Sequence, residues 1–568
     1  MKIKIETQKK FLFVSVNFQT LDVTQTSGEN FSVSAGQDLE MSSPTKCAYC
    51  QAHATQLCAA CRNVVYCSRE HQKEHWKRGH KLECKCYELD TNELLGRHLR
   101  ATRDIKMGEL IMREAPLVLG PKVASMPICL GCHRNLLPPQ RPAVNYYKCS
   151  ACSWPLCSAE CEKSSFHVGE CRLMAASKFQ SKINYNPGQP VGKESAYCVI
   201  MLLRCMQLKE SQPAAFARLC ELEDHLKERL DTPLYHVLRA NLITFIKTVL
   251  GLREWSELDI LRIAAILDTN AFEVRHSGGS KKVRGLFPGG AMFSHDCVPN
   301  MRHRFDDDMN IVFLAKRSIA KGEILSISYT QQLRSTIQRR LHLKQVKCFE
   351  CACARCADPT ELGTYAGAHV CGKCKVGKFI SMDPLQNAAN WRCEVCNLIR
   401  SAKEFLIHDA KIEAELESLD KTAPLSFEDF LYRHRVELHE TNTHILQAKY
   451  ALTQIYGNVK GFAMEELSDA SLKRKVELCE ELLEISNLFD SGWSIFRGNL
   501  LIALEEAIVA QAMRLDEASE CEAKLKQAAE LLEEITNIMK HEPEMQQLLT
   551  ERKQILDAAL ARFSNEVQ

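Results

Sequence analysis

Eight cysteine and histidine positions recur twice in this chain, in the same order. The first set is Cys47, Cys50, Cys58, Cys61, Cys67, His71, His80 and Cys84; the second is Cys129, Cys132, Cys149, Cys152, Cys157, Cys161, His167 and Cys171. Thiolate and imidazole are the ligands that tetrahedral structural zinc prefers, and two thiolates in a Cys-x2-Cys turn can grip one ion. Each set can therefore fill two zinc sites, although spacing leaves the pairing within each set open. Cys371, Cys374, Cys393 and Cys396 form a complete four-cysteine set with ribbon-like spacing. Cys351, Cys353 and Cys356 supply three thiolates and need a fourth ligand from elsewhere.

The 28 cysteines fall mostly in such pairs, mixed with histidines. That pattern points to zinc in a reducing compartment rather than to disulfides. The apolar stretch Phe11–Phe18 is short and is not followed by a small-residue cleavage site. Cys198, Cys205, Cys220, Cys479 and Cys521 sit alone on apolar helical patterns and read as small buried hydrophobes. His75 and Cys86 lie outside the ligand spacing and read as bystanders.

Several elements must hold these groups. At 568 residues the chain is too long for one core. A hydrophobic share of 45% and a charged share of 25% fit a soluble, globular, multidomain protein. The net charge of +2 gives no global case for binding nucleic acid, and no apolar run is long enough to cross a bilayer. Residues 1–40 are rich in Ser, Thr, Gln and Gly and read as a disordered leader; Met41 offers an alternative start. Residues 68–84 have helix-forming composition. Residues 96–120 carry short β-type runs punctuated by Gly and Pro. Residues 195–268 read as successive helices, and 283–330 return to strands, with examples at 310–319 and 323–329. From about 400 to 565 apolar residues recur near the helical period, which suggests a stacked array of helix pairs.

Five segments carry a resemblance to known families. YCSREHQKEHW (66–76) and LCSAEC (156–161) resemble the MYND zinc finger. That resemblance implies interleaved pairing. Cys47, Cys50, Cys67 and His71 would hold one ion, and Cys58, Cys61, His80 and Cys84 the other. The second module would use Cys129, Cys132, Cys157 and Cys161, then Cys149, Cys152, His167 and Cys171. MFSHDCVPN (292–300), GEILSISY (322–329) and CFECACARC (348–356) resemble the SET-domain lysine methyltransferases. With the fingers and the helical tail, the chain looks like the SMYD family, and most like its arthropod SmydA branch. The resemblance covers roughly residues 94–565.

It implies an α+β multidomain fold: a β-rich SET core split by a MYND finger and a helical insert, an extra N-terminal finger, a post-SET zinc site and an all-helical, TPR-like C-terminal domain. The expected boundaries are 1–40 leader, 47–84 first finger, 94–125 first SET part, 129–171 second finger, 172–275 helical insert, 276–346 SET core, 348–398 post-SET and ribbon, and 400–568 helical domain. The implied activity is S-adenosylmethionine-dependent methylation of a protein lysine, histone or non-histone, with Tyr329 as catalytic residue. Arg97, His98, Asn270, Ser294, His295, Tyr329 and Phe349 would contact the cofactor, and Cys297 would complete the post-SET zinc with Cys351, Cys353 and Cys356. Six zinc ions follow. His98 stands where the family has glycine, and Ser294 where it has asparagine; both changes favour the alternative, a catalytically silent scaffold or corepressor. The expected partners are a substrate protein and proline-rich peptides at the fingers. Direct DNA contact by Arg69, Lys73, Lys77, Arg78, Lys81 and Lys85 is not expected, since such a run reads as a solvated helix face. A monomer in cytoplasm, nucleus or both completes the expectation.

Overall fold

The computed structural model describes residues 46–59, 64–80, 84–122, 125, 127–136, 147–177, 179, 196–274, 283–540 and 542–565. The leader, the 11–18 stretch, Met41, Lys81 and the ligand position Cys61 lie outside the described residues.

The architecture is α+β. Its β core is assembled from strands far apart in sequence. Val118–Pro121, Val283–Leu286 and Phe272–Val274 form one antiparallel sheet; Met301–Phe305, Ile311–Ala315 and Leu110–Glu114 form another. The chain thus leaves the β core at Pro121 and re-enters it at Phe272. The second cysteine module and a set of helices fill the interval. One of them, Tyr197–Ser211, is buried on most sides and packs on the strand Val118–Pro121. The approach is close: a Cβ at Gly120 would lie 2.5 Å from Met201 Cγ, so a side chain there would force the helix away.

Two local features depart from the pattern reading. The segment 323–329 is strand only over Ser326–Ile327, which runs parallel to Ser294–His295. The ladder ends there, and the next N–H but one, that of Tyr329, goes to the His295 side chain instead of a strand partner. Within the stretch 195–268 read as helices, the part from 213 to 230 breaks into Pro213–Cys220 and Leu226–Leu230. Between them His225 takes a left-handed conformation with φ 48°. The lone cysteines also divide: Cys205 and Cys479 are buried as expected, whereas Cys198 is exposed.

Beyond residue 400 the described chain is helical apart from one short hairpin, Asn458–Val459 with Phe462–Ala463. The helices Pro424–His434, Thr443–Ile455, Asp469–Phe489, Ile495–Ala512, Ala518–Met539 and Pro543–Asn565 each pack on the next. They dock on the β core through buried polar contacts. Lys316 pairs with Asp490, the Trp493 N–H donates 2.8 Å to the Lys316 carbonyl, and Arg302 donates 2.6 Å to the Ile538 carbonyl. Gly492, at φ 82°, lies where a Cβ would stand 2.1 Å from the Lys316 oxygen, so only glycine lets the two backbones meet.

Candidate active site and zinc centres

The pairing of Ser294–His295 with Ser326–Ile327 brings Tyr329 against His295. The His295 Nδ1 accepts the Tyr329 backbone N–H at 3.0 Å. That assigns the ring proton to Nε2, which faces Cys297 Sγ at 3.4 Å. Burial pushes the His295 pKa down to about 4, so the ring stays neutral. One imidazole therefore links a candidate metal ligand to the backbone of the candidate catalytic residue. Phe349 closes the group, with its ring centroid 5.9 Å from His295 and 6.5 Å from Tyr329. The Tyr329 hydroxyl donates to the Phe293 carbonyl, and burial holds its phenol pKa above the usual value.

Asn270 ends the helix Glu257–Asn270. Its amide donates to the Glu223 carbonyl at 2.7 Å and the Ile266 carbonyl at 2.8 Å. Both amide hydrogens are used, which leaves Oδ1 as a free-facing acceptor. Arg97 reaches the same turn, donating to the Glu221 carbonyl. The broken helix at 221–225 is thus the common anchor of these two expected cofactor residues. His98 is wholly buried; its ring folds back on its own hairpin, with Nδ1 2.9 Å from the Gly96 carbonyl and Nε2 3.7 Å from Asp90. Ser294 Oγ is buried without a hydrogen-bond partner.

Among the described residues, cysteines and histidines gather into clusters whose ligand atoms all lie within 4.8 Å of one another, five of them complete four-residue sets. They are Cys47, Cys50, Cys67, His71; Cys129, Cys132, Cys157, Cys161; Cys149, Cys152, His167, Cys171; Cys297, Cys351, Cys353, Cys356; and Cys371, Cys374, Cys393, Cys396. In the remaining set Cys58 Sγ lies 3.5 Å from Cys84 Sγ and 3.4 Å from His80 Nε2; its fourth expected member, Cys61, is outside the described residues. Sulfur–sulfur distances of 3.5 to 3.9 Å recur in these clusters. A disulfide needs about 2.05 Å, whereas a tetrahedron of thiolates about 2.3 Å from zinc has edges of about 3.8 Å. The donor sets fit zinc.

Residues 47–84 match the MYND finger family, and residues 96–330 match the SET domain family, a span that encloses the second cysteine module. The chain is 31% identical to the Drosophila melanogaster SET domain-containing protein SmydA-8, isoform A, over 56% of this chain and 66% of that protein. The chain is thus similar to proteins that combine a SET domain with a MYND finger. It is also 25% identical to the Arabidopsis thaliana histone-lysine N-methyltransferase ASHR1, over 63% of this chain and 73% of that one. Identity to the human histone-lysine N-methyltransferase SMYD3 is 26%, over 46% and 59%. The match to the fly protein thus spans just under two thirds of that relative's length. A solved structure of the SET domain of LSMT bound to lysine and AdoHcy aligns over 88% of this chain and 93% of that one at 12% identity. The TM-score of that alignment is 0.24.

Three side chains that the spacing did not single out support the ligands. Arg339 donates through Nε to Cys297 Sγ at 3.1 Å and through a terminal nitrogen to Cys356 Sγ at 3.5 Å; Glu361 balances it at 2.8 Å. A four-thiolate zinc site carries net negative charge, and a buried guanidinium offsets it. In the second cysteine module His167 presents Nε2 to Cys152 at 3.5 Å, while its Nδ1 stands 3.4 Å from the buried Glu170. That carboxylate orients the ring, and Arg204 in turn holds the carboxylate. In the first finger His75 stacks on His80, with centroids 5.1 Å apart, and bonds the Tyr66 hydroxyl at 3.0 Å. The helix breaks at Gly79, φ 142°, just before His80. His75 is therefore a support and not a bystander.

Proposed function

We propose that this chain is an S-adenosylmethionine-dependent protein-lysine N-methyltransferase. The observation that supports it best is the state of Tyr329. Its proton is committed to the Phe293 carbonyl, its backbone is tied to His295, and burial keeps the phenol un-ionised. The oxygen lone pairs are then available to accept from a target amine and to aim it. Ser294, His295, Asn270 and Phe349, with Arg97 and His98 on the flanking hairpin, form the proposed binding set for the methyl donor. The Asn270 Oδ1 suits an ammonium group, the unpartnered Ser294 hydroxyl suits a polar edge, and the Phe349 ring suits a heteroaromatic face. Bound there, the donor supplies an electrophilic methyl group.

What the protein contributes is positioning and proton management. A target lysine with an ordinary pKa must lose a proton before it attacks, at a cost of about 4–5 kcal/mol at pH 7. A desolvated wall of Tyr329, Phe349 and the neutral His295 lowers that cost. Holding the amine in line removes several kcal/mol more of the barrier. The substrate is a protein lysine, in a histone or another protein, and proline-rich peptides at the MYND fingers are the proposed further partners. The basic run of the first finger is not proposed to grip DNA. Lys77 already pairs with Glu74 at 2.9 Å and Arg78 lies 4.6 Å over the Tyr49 ring. A monomer acting in cytoplasm or nucleus is part of the same reading; among the described residues no helix is long and apolar enough to cross a membrane.

The test is Tyr329→Phe in zinc-loaded protein with labelled methyl donor and a panel of histones and other lysine-bearing proteins. The expected result is a fall in methyl transfer of about 100-fold or more, the scale of a lost positioned acid–base group, with zinc content and melting temperature unchanged. Equal turnover in the variant would overturn the assignment of Tyr329.

A further inference from the structure

Lys347 is the last residue of the helix Thr336–Lys347. The chain turns sharply after it, because Cys348 takes a left-handed conformation with φ 60°. The Lys347 ammonium nitrogen donates to the Thr269 carbonyl at 2.5 Å and lies 5.4 Å from the centroid of the Tyr329 ring. Phe349, two residues on, belongs to the Tyr329 site. An amine of the chain itself is therefore seated against the catalytic tyrosine.

Lys347 is partly buried, and its surroundings differ from those of the fully buried lysines. Lys316 is paired with Asp490 and Lys475 with Glu506. No carboxylate among the described residues forms a salt bridge with Lys347. The charged groups around it are Arg229, which donates to the Val346 carbonyl and the Thr269 hydroxyl, Arg284, and Asp268, which Arg284 already holds at 3.3 Å. Burial, and then repulsion from Arg284 and Arg229, bring the Lys347 pKa down to about 8. At neutral pH this raises the fraction of free amine by a few hundred-fold over an ordinary lysine.

We propose that Lys347 is a methyl acceptor of this protein, modified in cis at the Tyr329 site. This inference rests on the methyltransferase reading above. In the step, the lone pair of the neutral Lys347 nitrogen forms the new N–C bond to the donor's methyl group. The C–S bond breaks as it forms, and its electron pair stays on sulfur. The positive charge of the sulfonium passes to nitrogen, giving N-methyllysine as its ammonium form and a neutral thioether. The ammonium loses one proton to water before any further round. Tethered at the site, the unmodified amine also competes with a lysine of another protein.

The experiment incubates zinc-loaded wild-type, Tyr329→Phe and Lys347→Arg proteins with labelled S-adenosylmethionine alone, with a histone substrate in parallel. A protease that does not cut at lysine then yields the peptide carrying position 347 for mass measurement. The expected result is methyl label at Lys347, at a rate independent of protein concentration and rising with pH through about 8. That label should be lost in both variants. Methylation of the external substrate with Lys347 unmodified would overturn the inference and leave the enzyme reading standing. A rate proportional to protein concentration would overturn the cis assignment. Absence of donor binding would remove the enzyme reading itself, and this inference with it. A readout independent of turnover uses isotopic reductive methylation of the donor-free protein, followed by NMR titration. Lys347 should titrate about two pH units below the surface lysines, and titration together with them would contradict the proposal.

Discussion

Arg339 connects the Cys297–Cys356 cluster to the Tyr329 site through Cys297. It touches two of the four thiolates, and one of them, Cys297, also contacts His295. Arg339→Leu should loosen zinc at that centre by about 10- to 100-fold, the usual consequence of losing an outer-shell partner. It should also weaken donor binding, because Cys297 anchors His295. Chelator competition with zinc release followed at each centre would show it; an unchanged affinity at the post-SET site would refute the role. The cysteine clusters were legible in the sequence because thiolates two residues apart have little else to do at that frequency. Arg339 and Glu170 were not. An arginine or glutamate on a helix ordinarily reads as solvated surface charge, and the partners of Arg339 lie 42 and 17 residues away. Glu170 stands three residues after His167, and that spacing on a helix start was the one signal available.

At the scale of elements, the helices were readable from their period, while the joints between them were not. The helix Thr443–Ile455 begins at Asn442, whose side-chain oxygen accepts the His444 N–H at 3.0 Å while its amide donates 3.1 Å to the Ala368 carbonyl. It thereby caps a helix and ties the helical domain to the zinc ribbon. Asn442→Ala should cost about 1–2 kcal/mol from the cap and the lost buried bond, read as a lower denaturant midpoint at constant slope; no shift would mean water replaces both bonds. The same joint holds Asp409, 2.9 Å from His369 and 3.5 Å from His444. Burial alone would raise its pKa, but the hydrogen bonds from the two histidines outweigh burial and lower it. A carboxyl with a depressed folded pKa gives stability that is present above its unfolded value, about 3.9, and is lost as pH falls through the folded value. Asp409→Asn should therefore flatten the acid limb of stability against pH below about pH 4. An acid limb unchanged from wild type would contradict that origin. The short strand Ser326–Ile327 shows what period reading misses: 323–329 has β composition, but a side chain of the neighbouring strand captures the Tyr329 N–H.

At the scale of the whole molecule, the β core is closed by strands on both sides of a long insertion, and the helical domain is locked to it by the buried pair Lys316–Asp490. Order along the chain made the insertion visible; which strand would pair with which depends on contacts hundreds of residues apart, and alternation carries no record of them. Removing one partner of a buried pair costs about 3–5 kcal/mol, whereas replacing both by apolar groups is often neutral. Lys316→Met should thus destabilise strongly and Lys316→Met with Asp490→Leu should recover most of the loss, measured by thermal unfolding; a double variant as weak as the single one would show that the pair does not act alone. The central claim is that these distant pieces assemble a site for S-adenosylmethionine beside Tyr329. Calorimetric titration of S-adenosylmethionine into zinc-loaded protein tests it most directly. The account predicts saturable binding near one donor per chain in the micromolar range, weakened by Arg339→Leu. Absence of binding at millimolar donor would contradict it and leave a zinc-built scaffold in its place.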